Sequence, residues 1–244
     1  MNYSWNWHVL FEPSPTGEGM YLNLLFEGLG WTIVTTLCAW AVAMGIGICV
    51  GIARTRDAVL AQIISRTYIA IFRNIPILVQ LFLWFFVLPE IVPVALSKWL
   101  KGLEYGPFYT AVCGIGFAMS ARVAEQVRSG IQALSLGQSR ASFALGMSTF
   151  QVYRHILLPQ ALRYILPTLT TELTTTVKAT SVALTIGLTE LSAQAHAVQE
   201  FSFQVFEAFT TATLIYIGLN AIVALGMRLI EKATAIPGAT SARS

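Results

Sequence analysis

Five long apolar runs constrain this chain of 244 residues more than any other feature of its sequence. A helix needs about 20 predominantly apolar residues to cross a hydrocarbon layer of about 30 Å, and each run reaches that length. The runs predict membrane-spanning helices at 27–53, 62–88, 107–128, 164–189 and 207–230. Only 11% of the residues are charged, and most runs lack the polar face of a soluble helix. We therefore predict an all-α, polytopic membrane protein with about five transmembrane helices.

Basic residues are distributed unevenly around the five predicted spans. Lys98 and Lys101 fall on one side of the membrane, and Lys178 lies within a span. All the other lysines and arginines fall on the opposite side. They are Arg54, Arg56, Arg66, Arg73, Arg122, Arg128, Arg140, Arg154, Arg163, Arg228, Lys232 and Arg243. Because loops rich in Lys and Arg stay in the cytoplasm, this distribution predicts an outer N-terminus and a cytoplasmic C-terminus.

The segments outside the spans are short and have distinct compositions. Residues 1–26 carry Trp5 and Trp7 and no basic residue, which suits an outer interfacial arm and lacks the basic start of a cleavable signal peptide. Residues 27–232 form a single transmembrane domain, and 233–244 form a cytoplasmic tail. The net charge of +3 then reflects membrane topology, so no nucleic-acid partner is predicted.

A polar segment at about 129–163 separates the third and fourth spans and has its own local order. A short helix is expected over Ser139–Leu145, with Gly146 where helices commonly end in a left-handed residue. Ser148 and Gln151 have the spacing of a capping box, which predicts a second short helix.

The second short helix would place Tyr153, Ile156 and Leu157 along one side. Pro159 then either closes this helix or opens the next one. The residues alone leave two interpretations open. One is a compact helix–turn–helix that contacts a partner at the cytoplasmic face, and the other is a solvated loop with incidental helicity.

The same segment resembles the cytoplasmic loop of ABC-importer permeases. In that family an alanine-rich run is followed by Gly and, further along, by Ile-x-Leu-Pro. The matching residues here are Ala141, Ala144, Gly146, Ile156, Leu158 and Pro159. The resemblance implies a type I ABC-importer permease fold. It also implies that these residues, with Gly137 and Arg140, form the coupling loop that docks on a cytoplasmic ATPase subunit.

Other matches extend the resemblance over about residues 27–232. Phe72–Pro76 with Gln80 is similar to the F-R-x-x-P-x-x-x-Q run of the polar-amino-acid subfamily, and Leu173–Leu191 is similar to that subfamily's run after the loop. Arg140 departs from the family pattern, which usually has Glu there. Permeases for glutamate and aspartate share that departure and resemble this chain at Trp5–Trp7 and Glu190–Gln194. The resemblance therefore implies an acidic-amino-acid permease, with a permease for another polar amino acid as the alternative.

A different motif beside the loop argues against nucleotide binding by this chain. Leu134–Gln138 resembles the L-S-G-G-Q signature of ABC ATPases, but that motif works opposite a phosphate-binding loop. The chain contains no Gly-Lys-Ser or Gly-Lys-Thr sequence. We predict that it is not an enzyme and that a separate subunit hydrolyses ATP.

Lys178 is the most unusual residue within a predicted span. A Lys near the centre of a membrane helix costs about 2.5–3.5 kcal/mol on insertion scales, so it should face protein or water. It could attract an anionic substrate, or it could pair with Glu172 or a partner helix and serve gating or packing. Pro76 lies within the second predicted span and removes a backbone donor, which predicts local unwinding of that helix. The polar neighbours of Lys178 and of Pro76 complete the candidate pathway or gating set. That set is Asn74, Gln80, Glu172, Thr174, Thr175, Lys178, Thr180 and Ser181.

Five spans are too few to enclose a solvated amino-acid pathway, so further subunits are expected. The resemblance implies a companion permease chain, identical or homologous, in the bacterial inner membrane. It also implies a periplasmic substrate-binding protein and cytoplasmic ATPase subunits. Two rivals remain: a membrane-embedded enzyme would need converging acids, bases or metal ligands, and an ion-coupled carrier or channel would need no docking loop. The three histidines lie in separate regions, so no metal or cofactor is predicted.

Overall fold

The computed structural model describes residues 3–14 and 19–234. In that part of the chain every regular element is a helix, apart from one β-bridge between Pro13 and Met20. The α-helices are α1 (Tyr21–Thr55), α2 (Val59–Asn74), α3 (Ile77–Phe82), α4 (Leu88–Ile91), α5 (Val94–Lys101), α6 (Gly106–Gln132), α7 (Leu136–Ala144), α8 (Thr149–Gln151), α9 (Leu158–Ala179), α10 (Leu191–Ser202) and α11 (Val205–Thr234). The prediction of an all-α protein is confirmed.

Four shorter helical segments connect these elements. Two are 3-10 helices, at Trp7–Phe11 and Thr180–Ile186. Two are π-helical segments, at Leu83–Val87 and Val152–Leu157. The wider π turns lie between consecutive α-helices without a gap in the chain, and no sequence pattern predicted them.

Each predicted span is largely helical, although the bounds differ. Helix α1 begins at Tyr21 rather than at residue 27, because the apolar run extends back beyond Glu27. By length and apolarity alone, α1 and α11 can cross a membrane, as can α2 with Ile77–Ile91 if the two are counted as one broken span. Helices α6 and α9 fall short of that apolarity, since they carry charged and hydroxyl side chains such as Arg122 and Glu172.

The predicted local unwinding at Pro76 is present. Helix α2 ends at Asn74, Ile75 is extended with φ −90° and ψ 126°, and Pro76 precedes the first residue of α3. Proline has no N–H to continue the ladder, and it disfavours the helical conformation at the residue before it. Pro167, in contrast, lies inside α9 without ending the helix.

The chain divides into two compact units, of which the first comprises Met1–Ala41, Pro76–Gly116 and Thr175–Ala221. Its apolar core joins the N-terminal 3-10 helix, the start of α1, α10 and the start of α11. The buried residues of that core include Val9, Leu25, Leu191, Val198 and Ala208.

The predicted interfacial arm is anchored within this first unit by Glu207, a fully buried carboxylate near the start of α11. The backbone N–H of Asn6 donates to Glu207 Oε1 at 2.6 Å, and the Tyr3 hydroxyl donates to the other carboxylate oxygen. Trp5 and Trp7 stack at 5.6 Å between ring centroids and remain exposed. The arm is therefore held by polar contacts while its indoles face outward, as aromatic residues do at a membrane interface.

The second unit comprises Val42–Ile75, Phe117–Thr174 and Ile222–Ser244, and small residues bring its helices close together. A Cβ atom on Gly51 of α1 would lie 2.8 Å from the Ala124 carbonyl oxygen and 2.8 Å from Val127 Cβ on α6. Only glycine permits this approach, as expected for closely packed membrane helices. The predicted tail at 233–244, including Arg243, lies outside the described residues from 235 onward.

All three cysteines lie in apolar runs, yet they differ in burial. Cys38 is half-buried, whereas Cys49 and Cys113 are exposed. Lipid tails are as apolar as a protein core, so an apolar run in a membrane helix does not identify which residues face protein.

Candidate functional site

The short helix predicted at the start of the loop is α7, and its C-terminus closes as the sequence indicated. Gly146 has φ +82°, in the left-handed region. Its N–H donates to the Phe143 carbonyl at 3.0 Å, and the Met147 N–H donates to the Ser142 carbonyl at 3.2 Å. This pair of bonds is the Schellman motif, which satisfies the last carbonyls of a helix. The helix begins at Leu136, three residues before the predicted start at Ser139.

The predicted capping box is also present. The Ser148 N–H donates to Gln151 Oε1 at 2.8 Å, and the Gln151 N–H donates to Ser148 Oγ at 3.4 Å. Helix α8 then passes through the π-helical segment Val152–Leu157 into α9, so Pro159 opens the next helix rather than closing this one. The π turn changes the direction in which successive side chains leave the helix. Tyr153 and Leu157 line one cavity of about 650 Å³, and Ile156 does not line it.

The exposed surface of α7 combines small and apolar side chains with the polar side chains of Gln138 and Arg140. Gly137, Arg140, Ala141, Ala144 and Gly146 are all exposed. Two large leucines stand at the ends of this surface, Leu136 with 72% and Leu145 with 83% exposure. A row of small residues flanked by exposed leucines is poorly suited to water, and it allows another protein to approach the helix closely. We call the surface formed by Leu136, Gly137, Ala141, Ala144 and Leu145 the α7 face.

A hydrogen bond ties the π-helical segment after the loop to α1. The Tyr153 hydroxyl lies 3.0 Å from Thr55 Oγ1, at the last residue of α1. The neighbouring Arg54 donates from Nη1 to Glu125 Oε1 on α6 at 2.6 Å. Two consecutive residues of α1, Arg54 and Thr55, therefore make polar contacts with α6 and with the π-helical segment after the loop, respectively.

Glu125 accepts hydrogen bonds from two arginines. Within α6, Arg128 Nη2 donates to Glu125 Oε2 at 2.9 Å, an i,i+3 pair on one side of the helix. Arg54 occupies the other carboxylate oxygen, a contact that the sequence did not predict. Arg54 and Glu125 are 71 positions apart in the chain, so only the packing of α1 on α6 brings them together.

The hydroxyl groups at the end of α9 and at the start of the 3-10 helix that follows it donate mostly to backbone carbonyls three residues earlier in the chain. Thr174 Oγ1 donates to the Thr171 carbonyl at 3.0 Å, Thr180 Oγ1 donates to the Val177 carbonyl at 2.8 Å, and Ser181 Oγ donates to the Lys178 carbonyl at 2.7 Å. Ser and Thr side chains inside helices commonly bond to the carbonyl three or four residues earlier in this way. Thr175 and Thr180 differ in burial, since Thr175 is half-buried and Thr180 is fully buried.

Lys178 is exposed, and no carboxylate of the described residues forms an ion pair with it. The proposed pairing with Glu172 is wrong, because Glu172 Oε2 lies 3.7 Å from Arg122 Nη1 on α6. A lysine exposed on a membrane helix needs a compensating partner or water.

The candidates near the Pro76 break have different surroundings. Asn74 is exposed at the end of α2. Gln80 on α3 is buried, with 2% exposure, and α3 packs against the 3-10 helix that holds Thr180 and Ser181. The structure thus brings the Gln80 helix to the segment that follows Lys178, whereas Asn74 belongs to the other unit.

The buried carboxylate of Glu190 accepts hydrogen bonds from two groups of the first unit. Glu190 Oε1 accepts the Ala193 N–H at 2.9 Å and so caps α10, and Glu190 Oε2 accepts the Tyr216 hydroxyl at 2.6 Å. Burial raises the pKa of the Glu190 carboxyl, while the bonds from Tyr216 and Ala193 act in the opposite direction. Glu190 followed by Ala193 has N-cap spacing, which was the available signal.

The described residues contain no group of three or more His, Cys, Asp or Glu side chains that could hold a metal ion. The acids near the candidate site are already engaged with arginines, as in the pairs of Glu125 with Arg54 and of Glu172 with Arg122. The arrangement therefore suits docking and packing rather than acid–base chemistry.

The chain is similar in sequence to proteins of amino-acid transport systems. The family described as "Binding-protein-dependent transport system inner membrane component" matches residues 43–236. The glutamate/aspartate import permease protein GltJ of Escherichia coli is 38% identical over 242 residues, which covers 98% of this chain and 98% of that protein. The probable amino-acid ABC transporter permease protein PatM of Vibrio harveyi is 36% identical over 203 residues, which covers 82% of this chain and 87% of that protein.

A solved structure is similar over nearly the whole chain. It is described as an amino acid ABC transporter with histidines, and it superposes with a TM-score of 0.74 at 28% sequence identity. The superposition covers 87% of this chain and 95% of that chain.

Proposed function

This chain belongs to the family of inner-membrane components of binding-protein-dependent transport systems, and we propose that it is the permease subunit of an ATP-driven importer for glutamate or aspartate. The observation that carries the proposal is the exposed α7 face, held between a Schellman motif and a capping box. The near-complete overlap with a glutamate/aspartate import permease supports the substrate class.

The α7 face is the proposed docking site for a cytoplasmic ATPase subunit. Leu136 and Leu145 would enter apolar recesses of that subunit, and Ala141 and Ala144 would let its backbone approach. Arg140 is exposed beside them, so the facing surface should carry an acidic or neutral side chain rather than a basic one. ATP hydrolysis would take place entirely in the docked subunit.

Movement of the docked loop has a direct route to the membrane helices. The hydrogen bond between Tyr153 and Thr55 links the loop to the end of α1, and the pair of Arg54 with Glu125 links α1 to α6. A displacement of α7 on ATP binding would therefore be transmitted to the ends of α1 and α6. The glycine contact of Gly51 with α6 keeps these two helices in register during that movement.

Lys178 is the proposed charge-sensing or gating residue of the pathway. Its exposure without an ion-pair partner among the described residues supports a position facing either a companion permease or the solvated path. Ser181 lies one turn further along with its oxygen still able to accept a hydrogen bond. We place Asn74, Gln80, Thr174, Thr175 and Thr180 in supporting or gating roles.

The complete transporter would contain a companion permease, identical or homologous, two ATPase subunits and a periplasmic binding protein that delivers the amino acid. The excess of basic residues around α7 supports a cytoplasmic loop and C-terminus with the N-terminal arm outside. The exposed indole rings of Trp5 and Trp7 suit a position at the outer membrane interface.

Uptake into proteoliposomes that hold all subunits tests this function. We expect uptake of glutamate or aspartate only with ATP on the ATPase side and the binding protein on the other side. Omitting ATP, or omitting the ATPase subunits, should abolish uptake. Uptake driven by this chain alone under an ion gradient would support an ion-coupled carrier and reject the proposal.

A permease for another polar amino acid is the second candidate, since a similar structure is described as holding histidines. The binding protein that copurifies with the native complex distinguishes the two. A binding protein that retains glutamate or aspartate supports the first candidate, and one that retains a neutral or basic amino acid supports the second.

A further inference from the structure

Two open cavities in the second unit meet at one side chain, Cys49 of α1. The first has a volume of about 480 Å³, and Arg56 and Arg154 stand in its lining. The second has a volume of about 310 Å³ and lies between α1 and α2, lined by residues that include Val50, Ala53, Ala61 and Ile64. A single ligand reaching past Cys49 could occupy both cavities.

The first cavity combines two guanidinium groups with apolar walls. Arg56 and Arg154 are both exposed, and no carboxylate of the described residues forms an ion pair with either. Arg154 lies over the Phe150 ring at 5.9 Å from its centroid, which orients the guanidinium. Asp57 follows Arg56 in the chain and does not line this cavity, although both residues line the neighbouring cavity of about 650 Å³. Two arginines at one opening match the geometry and charge of a phosphate group.

The second cavity offers a mainly carbon surface to a ligand, and its polar groups are the Cys49 thiol and the hydroxyls of Ser65 and Tyr68. Ser65 Oγ already donates to the Ala61 carbonyl at 2.7 Å. The Tyr68 hydroxyl is engaged with Ser120 Oγ at 2.6 Å. Because both hydroxyls are used internally, this cavity suits a hydrocarbon chain and gives no anchor to a soluble anion.

The two cavities lie at the depths expected for the headgroup and the acyl chain of one membrane lipid. Arg56 lies just beyond the last residue of α1, a helix apolar and long enough to cross the membrane. Seven residues separate it from Cys49, which corresponds to about 10 Å along a helix axis. The charged groups therefore lie at headgroup level and the apolar cavity lies deeper, next to α2.

We propose that these cavities form a binding site for an anionic phospholipid. Its phosphate lies between Arg56 and Arg154, and one acyl chain passes Cys49 into the cavity bounded by Ile64. Because Arg154 belongs to the π-helical segment after the docking loop and Arg56 follows α1, the bound lipid joins the same two elements as the hydrogen bond between Tyr153 and Thr55. The lipid would thereby strengthen the link between the loop and the membrane helices.

Native mass spectrometry of the complete purified complex tests the site, with phosphatidylglycerol and phosphatidylcholine supplied in equal amounts. We expect the wild-type complex to retain phosphatidylglycerol in preference. The double variant Arg56→Gln/Arg154→Gln should lose roughly tenfold or more of that retention, since each basic group near a lipid surface contributes separately. Arg66→Gln is the matched control, because Arg66 is an exposed arginine on α2 that contacts only Gln62, at 3.2 Å, among the described residues. Its lipid retention should match the wild type.

A second variant examines the acyl-chain cavity independently of the arginines. Cys49→Phe fills the junction of the two cavities and should also lower phosphatidylglycerol retention while leaving both charges in place. Unchanged retention in Cys49→Phe and in the double arginine variant would overturn the proposal.

Two further results would assign the arginines to other ligands. Displacement of the lipid by millimolar inorganic phosphate or glycerol phosphate would mean a site for a free phosphate and would reject the lipid assignment. Loss of the ATPase subunit from the double arginine variant, with lipid retention unchanged, would mean that these arginines dock a protein and would equally reject it.

Discussion

Lys178 has a charge that must be met by water, substrate or another subunit, since no carboxylate among the described residues pairs with it. The sequence identified this residue because a lysine within an apolar run is costly wherever the helix lies. It could not identify the partner of Glu172, since that depends on how α9 packs against α6. The pair of Glu172 with Arg122 followed only from the structure.

Lys178→Met should lower glutamate uptake by the complete transporter roughly 10- to 150-fold, because a hydrogen bond to a charged group contributes about 1.5–3 kcal/mol. Uptake of a neutral amino acid, supplied with a suitable binding protein, should be spared if the ammonium senses substrate charge. Lys178→Arg keeps the charge and serves as the control. Equal loss of both substrates in Lys178→Met would assign the residue to gating or packing.

The observed hydrogen bonds of Glu190 indicate a structural role. Glu190→Ala should destabilise the first unit by about 1–3 kcal/mol, since the Tyr216 hydroxyl and the Ala193 N–H lose their acceptor in a buried site. Glu190→Gln keeps an acceptor oxygen and should cost less. Thermal inactivation of the purified complex measures both effects, and Glu200→Ala, at an exposed acid of α10, gives the background. An equal shift in Glu190→Ala and Glu200→Ala would contradict this assignment.

At the scale of elements, the sequence predicted the helix ends and breaks that depend on a few neighbouring residues. The end of α7 at Gly146 and the start of α8 at Ser148 follow from backbone and capping preferences that span a few residues. The break at Pro76 follows from the missing N–H of proline. The π turn at Val152–Leu157 has no such local signal, so the predicted common side of Tyr153 and Ile156 was not obtained.

Gly146 permits a direct test of the loop, because a side chain added there meets no atom within 4 Å. The cost of Gly146→Val within this chain therefore comes chiefly from the left-handed backbone, at about 1–2 kcal/mol for an ordinary residue. We expect α7 to end differently and uptake to lose its coupling to ATP hydrolysis, while membrane insertion is unchanged. ATPase activity and uptake are measured together in proteoliposomes.

Gly146→Asn is the matched control for that experiment, because Asn tolerates the left-handed conformation better than Val does. It should retain most of the coupling. Wild-type coupling in Gly146→Val, or an equal defect in both variants, would count against a docking role for this helix end.

At the scale of the whole molecule, the proposed mechanism requires the α7 face and the N-terminal arm to lie on opposite sides of the membrane. The uneven distribution of basic residues is the basis for that topology. The apolar α7 face adds a second requirement, because it should be covered when the ATPase subunits are bound. Both requirements concern accessibility, so one labelling experiment addresses them.

In a variant whose three cysteines are replaced by serine, Ser4→Cys should react with a membrane-impermeant maleimide added outside intact spheroplasts. Ala144→Cys should react only after the membrane is opened, and less so in the complex with the ATPase subunits than without them. Both positions are exposed in this chain, so unequal reaction reports topology or covering rather than burial. Reaction of Ala144→Cys from outside would place the loop on the wrong side for an ATPase and would reject the coupling role.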